Sequence, residues 1–152
     1  MPKPELTEDI VKKTLRYFFR EIPFIFLGTG MSCALDKNFG MPALKDELIA
    51  KMKNSKMSAI QQTEWRKVDE VLSKGIDLEN ALDLVTNQGL LEIIIKYTAK
   101  FIARNDKKYA LEITNGKCEW PAIGTLKRIY DALPENLPIL HVLTPNYDLL
   151  FE

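Results

Sequence analysis

The sequence predicts an α/β fold: a Rossmann-like parallel sheet, incomplete in this chain, with a helical insertion between the two strands that carry motifs. One observation is an apolar run over residues 24–27 that leads directly into Gly28 and Gly30. A second is the apolar segment 138–151, which contains Asn146-Tyr147-Asp148. The third is the helical spacing of apolar residues between these two segments. Because parallel strands bind ligands at their carboxyl ends, we expect both strand tips to face one cleft.

Composition indicates a globular protein of 152 residues, 46% of them hydrophobic and 28% charged, which fits one domain of about 100–200 residues. Basic and acidic residues balance at 21 each, so no net positive charge favours nucleic acid and we expect no direct nucleic-acid binding. Cys33 and Cys118 have no disulfide or zinc-site spacing, which predicts free thiols and no metal. No signal peptide or membrane span is evident, so we expect a cytoplasmic protein.

The first elements follow from capping and proline signals. Thr7 can cap a helix of amphipathic spacing that ends before Pro23, since proline disfavours the α conformation in the residue before it. The strand 24–27 is apolar at every position, as is typical when helices cover both faces of a sheet. Pro42 then opens a helix, because its missing N–H would be unpaired at that position anyway.

The middle of the chain reads as helical. Residues 58–73 have amphipathic spacing, and Asp77 can cap a short helix after them. Apolar residues over 90–102 share one helical face. The polar segment that follows has little periodicity and a turn signal at Asn115-Gly116.

Two strands do not make a self-sufficient parallel sheet, because each strand needs neighbours and covered faces. We therefore expect residues 1–152 to be the N-terminal part of one longer nucleotide-binding domain. Within it, residues 22–46 form the strand, glycine turn and loop. Residues 47–120 form a mainly helical insertion, and residues 121–152 form a helix, a strand and the final loop.

Three short motifs stand in order along this chain and resemble motifs of the sirtuin family. They are similar to its Gly-Ala-Gly-x-Ser turn, its Gly-Ile-Pro segment and its Thr-Gln-Asn-Ile-Asp loop. The Asn-Tyr-Asp form followed by LLFE is most similar to the sirtuin-like NAD⁺-consuming effectors of bacterial antiphage defence. The resemblance covers the N-terminal half of the family domain. The matching residues here are Gly28-Thr29-Gly30-Met31-Ser32, Gly40-Met41-Pro42 and Thr144-Pro145-Asn146-Tyr147-Asp148.

The resemblance implies that the glycine turn binds NAD⁺. Side chains at Gly28 and Gly30 would block the pyrophosphate, while the amides of Thr29, Met31 and Ser32 would donate to its oxygens. The Ser32 hydroxyl is a further donor. The alternative is a tight turn that binds nothing, since glycine is the usual residue wherever φ is positive.

Pro42 corresponds to the loop that folds over NAD⁺ in sirtuins, and its alternative is an ordinary helix start. The next positions are Ala43, Leu44 and Lys45, where deacylating sirtuins have Asp, Phe and Arg. That difference, and the lack of zinc-ribbon cysteines, disfavour protein deacylation. Cys33 stands where the usual dinucleotide fingerprint has its third glycine, so a hydride-transferring dehydrogenase is disfavoured as well.

Asn146 and Asp148 are the predicted catalytic residues. The resemblance implies that Asn146 orients the ribose hydroxyls or the attacking water and that Asp148 binds the nicotinamide carboxamide. Cleavage of the bond to ribose passes through an oxocarbenium-like state that fixed polar groups stabilise. Alternatively, Asn146 caps a helix and Asp148 lies in its first turn. His141 is interpreted as a buried or half-buried structural residue, because it precedes this loop.

The resemblance implies an NAD⁺ glycohydrolase that releases nicotinamide and ADP-ribose, with a role in antiphage defence by NAD⁺ depletion. The family's catalytic histidine follows the Asn-x-Asp loop, so we expect the complete protein to be the enzyme and this piece to be inactive alone. The resemblance also implies a homo-oligomer and a partner ATPase or sensor protein. Two other classes stay open: a non-catalytic module that binds NAD⁺ or ADP-ribose, and a structural piece of a larger defence assembly.

Overall fold

The computed structural model describes residues 7–18, 24–133, 135 and 139–150 of the chain. Over these residues the protein is mainly helical and contains two three-residue strands, with a 3-10 turn at Lys37–Phe39. The elements in chain order are α1 Glu8–Phe18, β1 Phe24–Phe26, α2 Gly30–Cys33, α3 Met41–Lys53, α4 Ala59–Ser73, α5 Leu78–Leu82, α6 Gln88–Thr114, α7 Pro121–Asp131 and β2 His141–Leu143.

The predicted Rossmann-like α/β fold is wrong for this chain. Its sheet consists of β1 and β2 alone in the described residues, whereas such a fold needs several parallel strands with helices across both faces. The physical reason is that the long segment between the strands forms helices that pack on one another. One prediction about the strands is nevertheless confirmed, since they pair in parallel with Phe24 opposite His141 and Phe26 opposite Leu143.

The face of this small sheet that carries Phe24 and Phe26 is exposed, whereas Ile25 on the other face is half-buried, which corrects a second expectation. Phe24 is 80% exposed and Phe26 is 66% exposed, although the apolar strand predicted helices over both faces. His141 is exposed too, not buried or half-buried, and its ring stacks on Phe24 with centroids 5.0 Å apart. The apolar pattern identified the strands but not their burial, because burial depends on what else packs against them.

The hydrophobic core lies among helices α3, α4, α5 and α6. Leu48, Val68 and Leu90 are fully buried at its centre. Trp65 belongs to this core as well. Burial of these apolar side chains is the main favourable contribution to folding. The core therefore stabilises the helices directly and the sheet only indirectly.

Side-chain caps begin four of the helices in the described residues. At α1 the Thr7 hydroxyl oxygen accepts the Ile10 N–H at 3.4 Å, so the predicted Thr7 cap is confirmed. Ser58 and Gln61 form a capping box at α4, and the Asp77 carboxylate accepts the Asn80 N–H at 2.9 Å at α5, so both predicted starts are confirmed. Asn87 caps α6 by accepting the Leu90 N–H at 2.9 Å. The predicted end of the first helix before Pro23 lies outside the described residues.

Helix α6 is longer than the sequence pattern predicted and runs through the polar segment as far as Thr114. Phe101, Asn105 and Tyr109 are all buried and recur every fourth residue, so one face of the helix stays against the protein. The predicted turn follows, with Gly116 at a φ of 65°. This extension brings the second half of α6 beside the glycine turn and the Asn-Tyr-Asp loop.

Candidate functional site

The parallel pairing of β1 and β2 brings the two motif-bearing loops to the same edge of the sheet. The Leu27 N–H continues the pairing by donating to the Leu143 carbonyl at 3.0 Å. Beyond this point the first strand enters the glycine turn and the second enters the loop 144–150. Since parallel strands end at the same edge, residues more than 100 positions apart in sequence become neighbours.

A directed chain of side-chain hydrogen bonds joins the two loops. The Thr29 hydroxyl donates to Asn146 Oδ1 at 3.3 Å, and Asn146 Nδ2 donates to Ser32 Oγ at 3.1 Å. The Ser32 hydroxyl in turn donates to Asp148 Oδ2 at 2.8 Å. Ser32 is fully buried and Asp148 is 8% exposed, so the last bond is shielded from water. This series of hydrogen bonds fixes the Asn146 amide and the Asp148 carboxylate relative to the turn.

Four predicted site residues thus lie together: Thr29, Ser32, Asn146 and Asp148. Ser32 takes a different role from the expected one, because its hydroxyl hydrogen is used by Asp148 rather than directed at a ligand. The Asn146 side chain contacts the glycine turn, and no helix follows it within the described residues up to position 150.

Two backbone groups of the turn already form hydrogen bonds with other groups of the protein. The Met31 N–H, expected as a pyrophosphate donor, donates to the Gly28 carbonyl at 3.1 Å. The Met31 carbonyl accepts the indole N–H of Trp120 at 2.8 Å. Trp120 is 3% exposed, so it holds the turn from the protein side as a buried residue. These two bonds tie the turn to the rest of the protein.

Gly28 and Gly30 are not explained by the protein's own conformation. The glycines with positive φ are Gly75 and Gly116, so neither position of the turn needs glycine for its backbone angle. A Cβ atom built on Gly28 or Gly30 would meet no other atom within 4 Å. The alternative in which glycine merely serves a positive φ therefore fails. The space where each side chain would begin is therefore open.

A cleft opens between the glycine turn, the Asn-Tyr-Asp loop, the start of α3 and helix α6. Its volume is about 80 Å³, which is below the roughly 300 Å³ at which small-molecule pockets begin. A ligand of nucleotide size would therefore extend out of the cleft. The lining residues are Thr29, Asn38, Phe39, Gly40, Met41, Leu44, Phe101, Ile102, Asn105, Pro145, Tyr147 and Asp148.

Of the predicted site residues, Thr29 and Asp148 line this cleft. The others do not: Gly28, Gly30, Met31, Ser32, Asn146 and Pro42. Pro42 lies next to Gly40 and Met41, which do line it. It is exposed in the first turn of α3, the position where proline suits a helix. The structure therefore accounts for Pro42 as a helix start, and its contact with a nucleotide stays a prediction.

Helix α6 supplies site residues that the motifs did not reveal. Asn105 is 6% exposed and donates from Nδ2 to the Asn38 carbonyl at 3.2 Å. Next to it, Asp106 Oδ2 accepts the Leu149 N–H at 3.3 Å, which ties the helix to the loop that carries Asp148. One sequence signal could have revealed Asn105: it is a polar residue four positions after Phe101, on the face of the helix that points to the protein interior.

The electrostatics of the site are dominated by two acids. Asp106 Oδ1 and Asp148 Oδ1 are both buried and have no hydrogen-bond partner. Burial raises the pKa of the Asp106 carboxyl; the Leu149 N–H partly offsets this, and the negative charge of Asp148 adds to it. Burial, and then the charge of Asp148, raise the pKa of the Cys33 thiol, so Cys33 is not an activated nucleophile. The two Oδ1 atoms can accept hydrogen bonds, but no N–H or O–H group of the protein donates to them.

The described part of the chain contains no group of three or more His, Cys, Asp or Glu side chains that could hold a metal ion. Its helices include none with both the length and the apolar character needed to cross a membrane. Comparison with known proteins finds no matching family model, no matching curated protein and no matching solved structure. The motifs and the geometry of this site are therefore what indicates a function for this chain.

Proposed function

We propose that this chain is the nucleotide-binding part of a sirtuin-like NAD⁺ glycohydrolase, which cleaves NAD⁺ to nicotinamide and ADP-ribose and acts in antiphage defence by depleting NAD⁺. The observation that carries the proposal is the series of hydrogen bonds through Thr29, Asn146, Ser32 and Asp148, which joins the glycine turn to the Asn-Tyr-Asp loop at one edge of the sheet. In that turn, neither backbone angle nor packing requires Gly28 and Gly30. A close-lying ligand accounts for their missing side chains, because glycine allows a backbone to approach a pyrophosphate.

Thr29 and Asn146 support the ribose part of the proposal. The Asn146 amide is held by Thr29 on one side and by Ser32 on the other. An amide has two N–H hydrogens and two lone pairs, so Asn146 keeps one donor and one acceptor for a ligand. A fixed amide stabilises developing charge on a ribose without reorganising, although it does not act as a base.

Asp148 supports the nicotinamide part. Asp148 lines the cleft, its Oδ2 accepts the Ser32 hydroxyl, and its Oδ1 is buried without a partner. A buried carboxylate oxygen without a donor is unfavourable by about 1–3 kcal/mol or more. The N–H of a ligand carboxamide removes that cost.

The test begins with binding. NAD⁺ added to the purified chain is expected to raise its melting temperature, because a ligand that binds only the folded state stabilises it by about 2.7 kcal/mol at 100 times Kd. In the product of the complete gene, Asn146→Ala is expected to lower nicotinamide release by about 10²–10³-fold. Asn115→Ala, at the exposed C-terminal end of α6, is the matched control and keeps full activity.

Two results would contradict the proposal. One is a melting temperature that NAD⁺ does not change. The other is an Asn146→Ala variant that releases nicotinamide at the unaltered rate.

A module that binds NAD⁺ or ADP-ribose without cleaving it is the second candidate. The observation that favours it is the position of His141, whose ring stacks on Phe24 in the strand instead of lying in the cleft. Proton transfer by a positioned side chain is usual in hydrolysis, and His141 does not supply it from there. Tight binding with no nicotinamide release by the complete gene product, at any enzyme concentration, would favour this module.

The proposal includes assembly with further copies and with a partner ATPase or sensor protein, as the resemblance implies. The exposed apolar side chains of the sheet support it, since Phe24, Phe26 and Leu143 are each at least 60% exposed. Contiguous apolar surface of this kind is typical of interaction sites.

A further inference from the structure

Helix α6 brings one buried amide to the wall of the cleft. Asn105 lines the cleft, is 6% exposed and belongs to none of the three sequence motifs. Its Nδ2 donates to the Asn38 carbonyl at 3.2 Å. Phe39, the next residue, packs its ring against Tyr109 of the same helix, with centroids 5.5 Å apart. These contacts join the helix to the segment before α3 and hold the Asn105 amide in place.

The oxygen of this amide has no partner in the part of the chain that the structure describes. An amide carries two N–H hydrogens and an oxygen with two lone pairs, and the bond to Asn38 uses one of the hydrogens. The unpartnered side-chain oxygens that are closed to solvent belong to Asp106 and Asp148, so Asn105 Oδ1 stays open. Because most polar atoms in such places have a hydrogen-bond partner, an open and unpartnered oxygen at the wall of a cleft is available to a ligand.

The charges around the cleft suit a positively charged group. The residues that line it include Phe39 and Phe101 but no lysine or arginine. Arg104 lies outside the cleft, where its guanidinium pairs with Glu47 at 3.3 Å and lies 5.3 Å from the centre of the Phe101 ring. Amide oxygens and aromatic faces both attract a cation. The cleft, of about 80 Å³, admits only one end of a dinucleotide, and its wall favours an end that is cationic.

We propose that Asn105 is a specificity-determining residue of this site: its oxygen faces the positively charged ring of NAD⁺ and favours it over the neutral ring of the reduced dinucleotide, NADH. The inference rests on the proposed function, in which the nicotinamide end of NAD⁺ lies against Asp148, a residue that lines the same cleft. NAD⁺ and NADH carry the same carboxamide, so this selection acts on the charge of the ring and not on that group. The bond to Asn38 lets the amide act without reorganising.

The experiment compares the affinities of the purified chain for NAD⁺, NADH and ADP-ribose, which has no nicotinamide ring. We expect the wild-type chain to bind NAD⁺ about tenfold more tightly than NADH, because the open oxygen and the aromatic side chains attract the cationic ring alone. Asn105→Leu offers the ring no oxygen and is expected to reduce this preference to about twofold. Its affinity for ADP-ribose is expected to equal that of wild type.

Three variants separate selectivity from structural support. Asn105→Leu keeps the size of the side chain, and the Asn38 carbonyl that it releases belongs to an exposed residue and can bond to water, so stability is expected to be kept. Asn105→Asp keeps an oxygen at this place and is expected to keep at least the wild-type preference. Asn115→Leu makes the same substitution at the exposed C-terminal end of the helix and is expected to leave all three affinities unaltered.

Four results would overturn the inference. If Asn105→Leu weakens binding of all three ligands by the same factor, Asn105 has only a structural role, while NAD⁺ binding stands. If the Asn105→Leu chain does not fold, a preference lost in Asn105→Asp overturns the inference and a preference kept there supports it. If the wild-type chain binds NAD⁺ and NADH equally, the cleft does not select by charge. If the folded wild-type chain binds none of the three ligands, the proposed function fails together with the inference.

Discussion

At the scale of single residues, two features mark the candidate site: open space at a glycine and buried oxygens without hydrogen-bond donors. Gly30 lacks a side chain that its backbone and neighbours would allow, and Asp148 and Asp106 keep buried oxygens without donors. A chain selected for stability alone would fill such space and remove such charge, because both features weaken the folded state. Open space at a glycine together with buried acceptors that lack donors, near the end of a strand, indicates a ligand.

Gly30→Ala separates binding from stability. Alanine fits the open space, and it lowers the entropy of the unfolded chain, so the variant is expected to be more stable by about 0.4–1 kcal/mol. The same methyl group would meet a bound pyrophosphate, so NAD⁺ affinity is expected to fall. Denaturant unfolding and ligand titration measure the two effects.

Gly124→Ala is the matched control, because a Cβ there also meets no atom within 4 Å but projects from helix α7. It is expected to gain similar stability and to keep full affinity. Equal affinities for NAD⁺ in both variants would show that nothing approaches Gly30.

At the scale of elements, the site depends on how helix α6 is placed. Glu64 of α4 clamps its start: one carboxylate oxygen accepts the Thr86 N–H at 3.1 Å and the Thr86 hydroxyl at 2.6 Å, and the other accepts the Asn87 N–H at 2.9 Å. Asn87 is the N-cap of α6. The clamp therefore sets the position of the helix that carries Asn105 to the cleft.

Glu64→Gln tests this clamp through its pH dependence. The Thr86 hydroxyl first, and then the Asn87 N–H, lower the pKa of the Glu64 carboxyl below its ordinary value of 4.5. A lowered pKa means that the ionised group stabilises the fold above about pH 4.5 and that this contribution is lost as the pH falls through the lowered pKa. The variant is expected to melt at a lower temperature than wild type at pH 7, with the difference closing in acid.

Thermal melts of wild type and Glu64→Gln between pH 3 and pH 8 measure this effect. Glu92→Gln, an exposed residue of α6, is the control and should follow wild type throughout. A difference for Glu64→Gln that stays constant across the series would mean that its carboxylate charge plays no part.

At the scale of the whole molecule, the hydrophobic core and the candidate site lie in different parts of the structure. The core lies between α3, α4, α5 and α6, while the sheet that positions the motif loops is exposed. The sheet edge therefore depends on local contacts, such as the indole N–H of Trp120 on the Met31 carbonyl. Such a division leaves the site free to keep unfavourable groups that the core offsets.

Leu48→Ala tests the division. Leu48 is fully buried at the centre of the core, so its truncation is expected to cost about 2–5 kcal/mol of unfolding free energy. Phe26→Ala removes a larger side chain that is 66% exposed and is expected to cost much less. Urea unfolding of the two variants compares them. A greater loss for Phe26→Ala would mean that the sheet, rather than the helices, holds the molecule together.

Local signals were good predictors where the interaction is itself local. Ser58 and Asp77 begin helices because their side chains bond to N–H groups three residues later. Asn105 and Asp106 could not be identified in this way, since they matter only because α6 passes the sheet edge. The fold class was wrongly predicted for a similar reason, as an apolar strand pattern says nothing about which elements cover it.

The sequence alone determined the parallel neighbours β1 and β2, the capped helices and the loops that carry Asn146 and Asp148, since these follow from short-range pattern and chain chemistry. Only the tertiary structure decided that the helices form their own core, that Phe24 and Phe26 of the sheet are exposed and that Asn105 lines the same cleft as Asp148. The physical reason is that burial and charge are properties of neighbours in space. A chain position has those neighbours only after the fold has formed.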